Sequence, residues 1–166
     1  MILDLPLILD TRRNHALEHA TLHVLAVKYP RQNLAGHSNP TGYFIFGNIP
    51  TTEVETAARQ ALRLLKLGER DLAIHNGCGT NIATMILLAG GLAWFVLKGA
   101  RSSAGRLLRL PFAVGFAVVG LGLSRPLGPW LQARITTESE LDGLEIVEVR
   151  RVGRGLIGAH RVITHT

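Results

Sequence analysis

Residues 82–97 read IATMILLAGGLAWFVL, and no residue in the longer range 72–97 carries a formal charge. A helix that is apolar on every face has to be buried, either inside a protein or in lipid. A second apolar segment, residues 110–124 (LPFAVGFAVVGLGLS), is bounded by Arg109 and Arg125. At 1.5 Å per residue it is about 22 Å long, which is short for a membrane span unless the flanking arginines extend it.

The two apolar segments are predicted to form a transmembrane helical hairpin. Glycines in both would let the helices approach closely, namely Gly90, Gly91, Gly115, Gly120 and Gly122. The chain has 166 residues, and the parts outside the two segments are too few and too polar to wrap both helices. A buried hairpin inside a soluble protein is the alternative. The first 30 residues lack the pattern of a cleaved signal peptide, so none is expected.

Charge is unevenly distributed along the chain. Residues 1–79 carry 8 basic and 7 acidic side chains, residues 80–123 carry 4 and 0, and residues 124–166 carry 6 and 5. The basic excess lies between the apolar segments, which indicates a hairpin loop, and no nucleic-acid partner is expected. The positive-inside rule places this loop in the cytoplasm, whereas the cost of translocating the N-terminal segment and the free Cys78 favour cytoplasmic chain ends. We expect an integral inner-membrane protein whose soluble part is cytoplasmic.

The remaining segments predict an α+β fold, with a small soluble α/β cap built from both chain ends. A first helix is predicted over residues 11–29, capped by Asp10 or Thr11. A second is predicted to start at the capping box Thr52-Glu53-Val54-Glu55 and to run to Leu67 before Gly68. Strands are predicted over residues 33–37 and 43–46, which flank the turn sequence SNPTG at residues 38–42 and so indicate a hairpin. A third strand is predicted over residues 71–75, and two more over residues 143–152 and 156–164, around a turn at residues 153–155 (GRG).

The sequence predicts that the chain is divided into three parts. Residues 1–79 form an N-terminal α+β segment with a histidine-rich helix, residues 80–133 the membrane hairpin, and residues 134–166 a C-terminal β-hairpin that joins the soluble part.

The first helix contains His15-Ala16-Leu17-Glu18-His19, followed by His23. The three histidines and Glu18 fall on one side of a helical wheel, next to an apolar arc made by Ala16, Leu17, Ala20, Val24 and Val27. Two histidines four residues apart can chelate a divalent ion, and Glu18 would then take a proton from metal-bound water. The pattern predicts zinc or another divalent transition metal at His15 and His19, with Glu18 as the catalytic base.

A third ligand is expected from the glycine-rich turn at residues 75–81, HNGCGTN. Either His75 or Cys78 would complete a three-ligand site with an open fourth position, as in catalytic zinc centres. Thr80 and Asn81 are expected to cap the membrane helix. Since Cys78 is the single cysteine, an intramolecular disulfide and a multi-cysteine zinc ribbon are excluded.

The other histidines and the aromatic residues have simpler interpretations. His37, His160 and His165 are expected on strand surfaces, as weak candidates for ligands. Tyr43, Phe44 and Phe46 are expected to pack in the sheet.

The H-x-x-E-H order resembles the signature of the inverted-zincin metallopeptidases, such as the pitrilysin-like family. The resemblance covers five residues and implies His15 and His19 as ligands and Glu18 as base. Those enzymes take a further carboxylate from a downstream helix, for which this chain offers Glu53, Glu55 and Glu69 in a different context.

A wider resemblance rests on residues 15–21 (HALEHAT), residues 42–47 (GYFIFG), the His75-x-x-Cys78-Gly79-Thr80-Asn81 turn and the two apolar helices. These features resemble an uncharacterised bacterial membrane family, a domain of unknown function found largely in phototrophic lineages. The resemblance implies that the histidine helix and the turn form one shared site. A proline often follows the turn histidine in that family, whereas this chain has Asn76.

Two functions are compatible with these patterns. The first is a membrane-anchored metal-binding protein, which as an enzyme would be a zinc-dependent, peptidase-like hydrolase acting near the bilayer surface. The alternative is a non-catalytic accessory or assembly subunit of a membrane complex that binds a partner protein, a second copy or a tetrapyrrole.

Overall fold

The computed structural model describes residues 2–100, 102–141, 143–153 and 158–166. The chain divides into two compact units. The α+β unit comprises Met1–His75 and Gln132–Thr166, and the helical hairpin comprises Asn76–Leu131.

The α+β unit combines two helices with one antiparallel sheet. In chain order its elements are α1 (Pro6–Lys28), β1 (Ala35–Asn39), β2 (Gly42–Phe46), α2 (Thr51–Lys66), β3 (Glu145–Arg151) and β4 (Ala159–His165). The strand order is β1-β2-β4-β3, so the C-terminal strands complete a sheet that begins near the N-terminus. The predicted α+β class and the joining of the two chain ends are therefore confirmed.

Both helices share a hydrophobic core with the sheet. Because side chains alternate along a strand, Tyr43 and Ile45 of β2 lie in this core, while Phe44 and Phe46 lie on the other face and stack with ring centroids 6.2 Å apart. The core also contains Leu17 and Leu25 of α1, Val54 and Ala58 of α2, Ile146 of β3 and Val162 of β4.

The first helix starts earlier than predicted. It begins at Pro6, with Leu5 at the N-cap and no side-chain cap, so neither Asp10 nor Thr11 caps it. Proline is favoured at a first helical position because its φ is preset and it has no N–H to leave unsatisfied. The Thr11 hydroxyl donates instead to the carbonyl of Leu7 within the helix.

Two further local predictions are wrong. Helix α2 begins at Thr51 after Pro50, without a side-chain capping bond, so the Thr52 capping box does not form. Residues 71–75 do not form a strand, because Arg70–Ala73 is a 3₁₀ turn. The apolar part of this segment is only Leu72 to Ile74, too short to fix a pairing register by its own pattern.

The two predicted β-hairpins are found. Strands β1 and β2 pair with Asn39 opposite Gly42, so the loop is the two residues Pro40 and Thr41. Strands β3 and β4 pair with an irregularity between Ile146 and Glu148. Most of the predicted turn between them falls in residues 154–157, outside the described residues.

The helical hairpin consists of α3 (Gly79–Leu97) and α4 (Ser103–Leu131). Helix α4 is much longer than its apolar sequence segment and measures about 43 Å at 1.5 Å per residue. It contains three prolines, and the chain then continues into a π-helical turn at Gln132–Thr136. The predicted short span is thus replaced by a long one.

Both helices are long and apolar enough to cross a membrane. Only 6% of the most apolar window of α3 is buried, and only 17% of that of α4, unlike the core helix of a soluble protein. The α3 cap is Cys78, whose Sγ accepts a bond from the Thr80 N–H at 3.4 Å, and not Thr80 or Asn81 as predicted.

Candidate metal centre

The middle of helix α1, residues 12–25, is buried or half-buried on every side, and its buried polar side chains have defined partners. The Arg12 guanidinium donates to the carbonyls of Ile135 and Thr137. Asn14 accepts a 2.6 Å bond from the Thr164 hydroxyl of β4. A helix with this environment holds its side chains in fixed rotamers, which a precise ligand set requires.

The three α1 histidines form a row along one side of the helix, defined as His15, His19 and His23. His15 is partly buried, His19 is 1% exposed, and their ring centroids are 4.3 Å apart. Ligand nitrogens of this pair lie within 4.8 Å of one another. The spacing of four residues therefore brings the two imidazoles together on one side of the helix, edge to face at an interplanar angle of 62°.

Main-chain carbonyls hold two of these rings in the same way. His15 Nδ1 lies 2.9 Å from the Thr136 oxygen, and His19 Nδ1 lies 2.7 Å from the Ala73 oxygen. Since a carbonyl oxygen only accepts, each Nδ1 must carry the proton in a neutral ring, which puts the lone pair on Nε2. A ligating histidine in known metal sites is oriented by the same kind of second bond.

The His23 ring is held through its other nitrogen, Nε2. Its Nε2 lies 2.8 Å from the oxygen of Ile74, so Nε2 carries the proton and Nδ1 the lone pair. Its place in the row was visible in the sequence from the spacing His15, His19, His23, although it was not among the predicted ligands.

His75 lies next to the histidine row. Its ring centroid is 5.6 Å from that of His19 and 5.1 Å from that of His23. Two imidazoles bound to one tetrahedral zinc ion at about 2.0–2.1 Å have centroids about 5 Å apart. Within the α+β unit, the turn histidine therefore lies close to two of the three row histidines, His19 and His23.

Burial lowers the pKa of His75 to about 4, and the neighbouring His19 and His23 add to the decrease. The ring is therefore neutral at physiological pH, the form that binds metals. The His75 main-chain N–H donates to the side-chain oxygen of Gln132 at 2.9 Å, which fixes the turn at the entrance to the hairpin.

Gln132 was not predicted as a site residue. Its contribution depends on the π-helical turn at Gln132–Thr136, which also supplies the carbonyl that binds His15. No local sequence pattern marks such a turn, and the residues it brings together are more than 50 positions apart in the chain.

Glu18 lies on the sheet side of α1. It is 4% exposed and packs over Gly36 of β1, where an added Cβ would fall 2.2 Å from its carboxylate oxygen. Burial raises the pKa of the nearby Tyr43 phenol, and the negative charge of Glu18 contributes to the increase. Gly36 therefore provides the space in which this carboxylate is buried.

Cys78 belongs to the helical hairpin, where it caps α3. It follows His75 by three residues, and three residues of extended chain span at most about 11 Å. Connectivity alone therefore keeps its thiol near the turn histidine.

The remaining histidines lie apart from the row. His37 and His165 are exposed on strands, as predicted. His160 was expected at a strand surface but is completely buried, because β4 is a central strand and its alternation places this residue toward α2, 3.3 Å from the Thr51 hydroxyl.

Comparison with known proteins places the chain among sequences without assigned activity. It is 36% identical over 149 residues to an uncharacterized protein of Picosynechococcus sp. (strain ATCC 27264 / PCC 7002 / PR-6), an alignment that covers 81% of this chain and 69% of the relative. No solved structure matches. The model of a domain of unknown function, DUF6391, matches residues 10–149, and the chain belongs to that family.

Proposed function

We propose that the protein is a membrane-anchored metal-binding protein that holds one divalent transition metal ion, zinc in the simplest case, through His15 and His19. The observation that carries the proposal is the matched orientation of the two rings. Both donate Nδ1–H to a main-chain carbonyl, and both therefore direct a lone pair from Nε2.

His75 or Cys78 supplies the third ligand in this proposal. The distance of His75 from His19 and its low pKa favour an uncharged imidazole ligand. Cys78 would bind as a thiolate and give a softer site that discriminates against magnesium and calcium. Either choice leaves a fourth position open for substrate.

As an enzyme, the protein would be a hydrolase of peptide or lipid-linked substrates near the bilayer. A divalent ion supplies Lewis acidity and lowers the pKa of water toward about 7. Glu18 would act as the general base that accepts the proton, since it follows His15 by three residues on the same helix and its burial keeps a carboxylate out of bulk solvent.

The helical hairpin would anchor the protein in the inner membrane, with the α+β unit in the cytoplasm. Two long apolar helices with exposed faces support the anchor, and a free cysteine three residues after His75 in the sequence supports the reducing compartment. Protease treatment of inverted membrane vesicles should degrade the α+β unit; protection of that unit would reverse the orientation.

Metal analysis of the detergent-purified protein tests the site. We expect about one zinc ion per chain in the wild type and loss of nearly all of it in the His15→Ala/His19→Ala variant. The matched control is His37→Ala/His165→Ala, which removes two exposed strand histidines and should keep the metal. Equal metal content in all three proteins would refute the proposal.

The third ligand and the reaction need separate variants. Cobalt substitution gives a near-ultraviolet thiolate band if Cys78 binds, and this band should be absent in Cys78→Ser; without the band, His75→Ala should be the variant that loses metal. Glu18→Gln should keep its metal and lose hydrolytic activity. A bound pigment or a stoichiometric partner in metal-free protein would instead favour the accessory subunit.

A further inference from the structure

The helical hairpin contains a cleft of about 380 Å³ between the first turns of α3 and the last third of α4. Its polar lining comes from Asn76, Asn81, Ser124 and Arg125, and its apolar lining from Ile82, Met85 and Pro129. A cavity lined by both polar and apolar side chains fits an amphiphile better than a wholly polar or wholly apolar ligand.

The cleft lies where the two helices approach each other closely. A Cβ on Gly128 would fall 2.3 Å from the side-chain oxygen of Asn81, so a side chain at this position would displace the Asn81 amide. The Asn81 amide donates to the carbonyl of Asn76, and the Ser124 hydroxyl donates to the carbonyl of Leu121. These bonds give the polar side of the cleft a fixed shape.

The charge of the hairpin indicates the kind of ligand. Residues 76–131 contain five basic side chains, Lys98, Arg101, Arg106, Arg109 and Arg125, and no Asp or Glu. Four of the five lie between positions 98 and 109 of the sequence, whereas Arg125 stands at the other end of the apolar segment. Its side chain is exposed, and within the hairpin sequence it has no acidic residue to pair with.

Arginine at the end of an apolar span lies at the depth of the lipid phosphates. We propose that the cleft binds an anionic phospholipid, with its phosphate at Arg125 and the Asn81 side, and an acyl chain along Ile82 and Met85. This rests on the membrane anchoring in the proposed function and is independent of the metal centre.

Tryptophan quenching by brominated lipid tests the proposal. Trp130 directly follows Pro129 of the cleft, and Trp94 is the other tryptophan in the chain, so a Trp94→Phe protein reports from Trp130. The protein is reconstituted in phosphatidylcholine vesicles containing either brominated phosphatidylglycerol or brominated phosphatidylcholine. We expect a roughly fivefold preference for the anionic lipid at this position.

Variants separate a specific cleft from general surface charge. Arg125→Gln should abolish the preference, and Arg125→Lys should retain most of it. Arg106→Gln, which removes an exposed cation in the first turn of α4 outside the cleft, should leave the preference unchanged. No preference in the parent protein, or the same loss in Arg106→Gln and Arg125→Gln, would overturn the proposal.

A soluble competitor identifies the source of the phosphate. Millimolar glycerol 3-phosphate should not relieve the quenching, because the acyl chain contributes to binding. Complete relief would overturn the lipid assignment and indicate a small phosphate ligand. Because the assay needs no metal, its failure would leave the His15 and His19 proposal standing, and a failed metal analysis would not affect it.

Discussion

At the scale of single residues, main-chain carbonyls determine which nitrogen of each row histidine carries the proton. His15 and His19 both bond through Nδ1, whereas His23 bonds through Nε2. The first two therefore resemble each other as ligands, and the third differs from them, although all three have the same spacing in sequence. A ligand set chosen by spacing alone could not separate His23 from the other two.

Substitution of Gly36 tests directly whether the Glu18 carboxylate packs over this glycine. In Gly36→Ala the new methyl group would meet the Glu18 carboxylate, and we expect a loss of about 1–3 kcal/mol in the stability of the α+β unit. The thermal unfolding midpoint, followed by circular dichroism in detergent, measures this loss.

The control for Gly36 is a double-mutant cycle. In a Glu18→Ala background the carboxylate is absent, so adding Gly36→Ala should cost much less than it does in the wild type. Additive losses would show that the two side chains do not meet.

His160 predicts the pH dependence of stability. Burial and then the charge of Arg151 lower its pKa below the ordinary value of 6.5. The unfolded chain therefore binds a proton at a pH where the folded chain does not, and the folded state loses stability as pH falls below about 6.5. The slope from this one group is at most about 1.4 kcal/mol per pH unit.

Thermal midpoints between pH 7.5 and 5, measured with a chelator present, would show this decrease. His160→Gln should have a shallower slope, while a part of the slope remains because the pKa of His75 is also low. An unchanged slope in His160→Gln would contradict the assignment.

At the scale of elements, the sequence predicted the secondary structures with strong internal patterns. The β1–β2 hairpin followed from the Asn39-Pro40-Thr41-Gly42 turn, and the apolar segments identified α3 and the centre of α4. The predictions for the start of α1, the cap of α2 and the strand at residues 71–75 were wrong. Each depended on one or two residues whose local preference is overridden by tertiary packing.

The candidate metal centre could likewise be predicted only where a local sequence pattern was present. The spacing in α1 was sufficient to predict that the His15 and His19 rings lie next to each other, and the turn motif suggested His75. The groups that orient His15 and His75 could not be predicted. Gln132 and the Thr136 carbonyl come after the 56-residue hairpin in the sequence, and both belong to a π-helical turn. The burial of His160 likewise depended on β4 being a central strand.

The contact between α3 and α4 depends on Gly120. An added Cβ there would fall 2.7 Å from the main chain at Ala89, which cannot move aside as a side chain can. Gly120→Ala should therefore separate the helices and lower the thermal midpoint of the hairpin, with a cost of about 1–3 kcal/mol.

Gly115 and Gly122 are matched controls on the same helix, because a Cβ at either would meet nothing within 4 Å. Replacing each by alanine should raise stability slightly through helix propensity. Equal destabilisation by all three substitutions would argue against the close crossing at Gly120.

At the scale of the whole molecule, charge and apolarity are divided between the two units. The α+β unit has 13 basic and 12 acidic side chains, whereas the hairpin has 5 and 0. The α+β unit has its own core, built from both ends of the chain, and about 110 residues are sufficient for an independent domain. Its fold should therefore not require the hairpin.

Removing the hairpin tests this independence. The His75 N–H and the Gln132 side chain are 2.9 Å apart, so a linker of about six Gly and Ser residues can replace residues 76–131. We expect a detergent-free, soluble protein with an α+β circular dichroism spectrum and a cooperative thermal transition. The same protein with Leu17→Asp, which places a charge in the core, should not fold.

The shortened protein also separates the two candidate third ligands, because it retains His15, His19 and His75 but lacks Cys78. If His75 completes the site, zinc should bind with nearly the affinity of the full-length chain, since all ligands and their carbonyl partners remain. If Cys78 completes it, the affinity should fall by several orders of magnitude. An insoluble or unfolded product would instead show that the sheet and helices need the membrane-length hairpin to form.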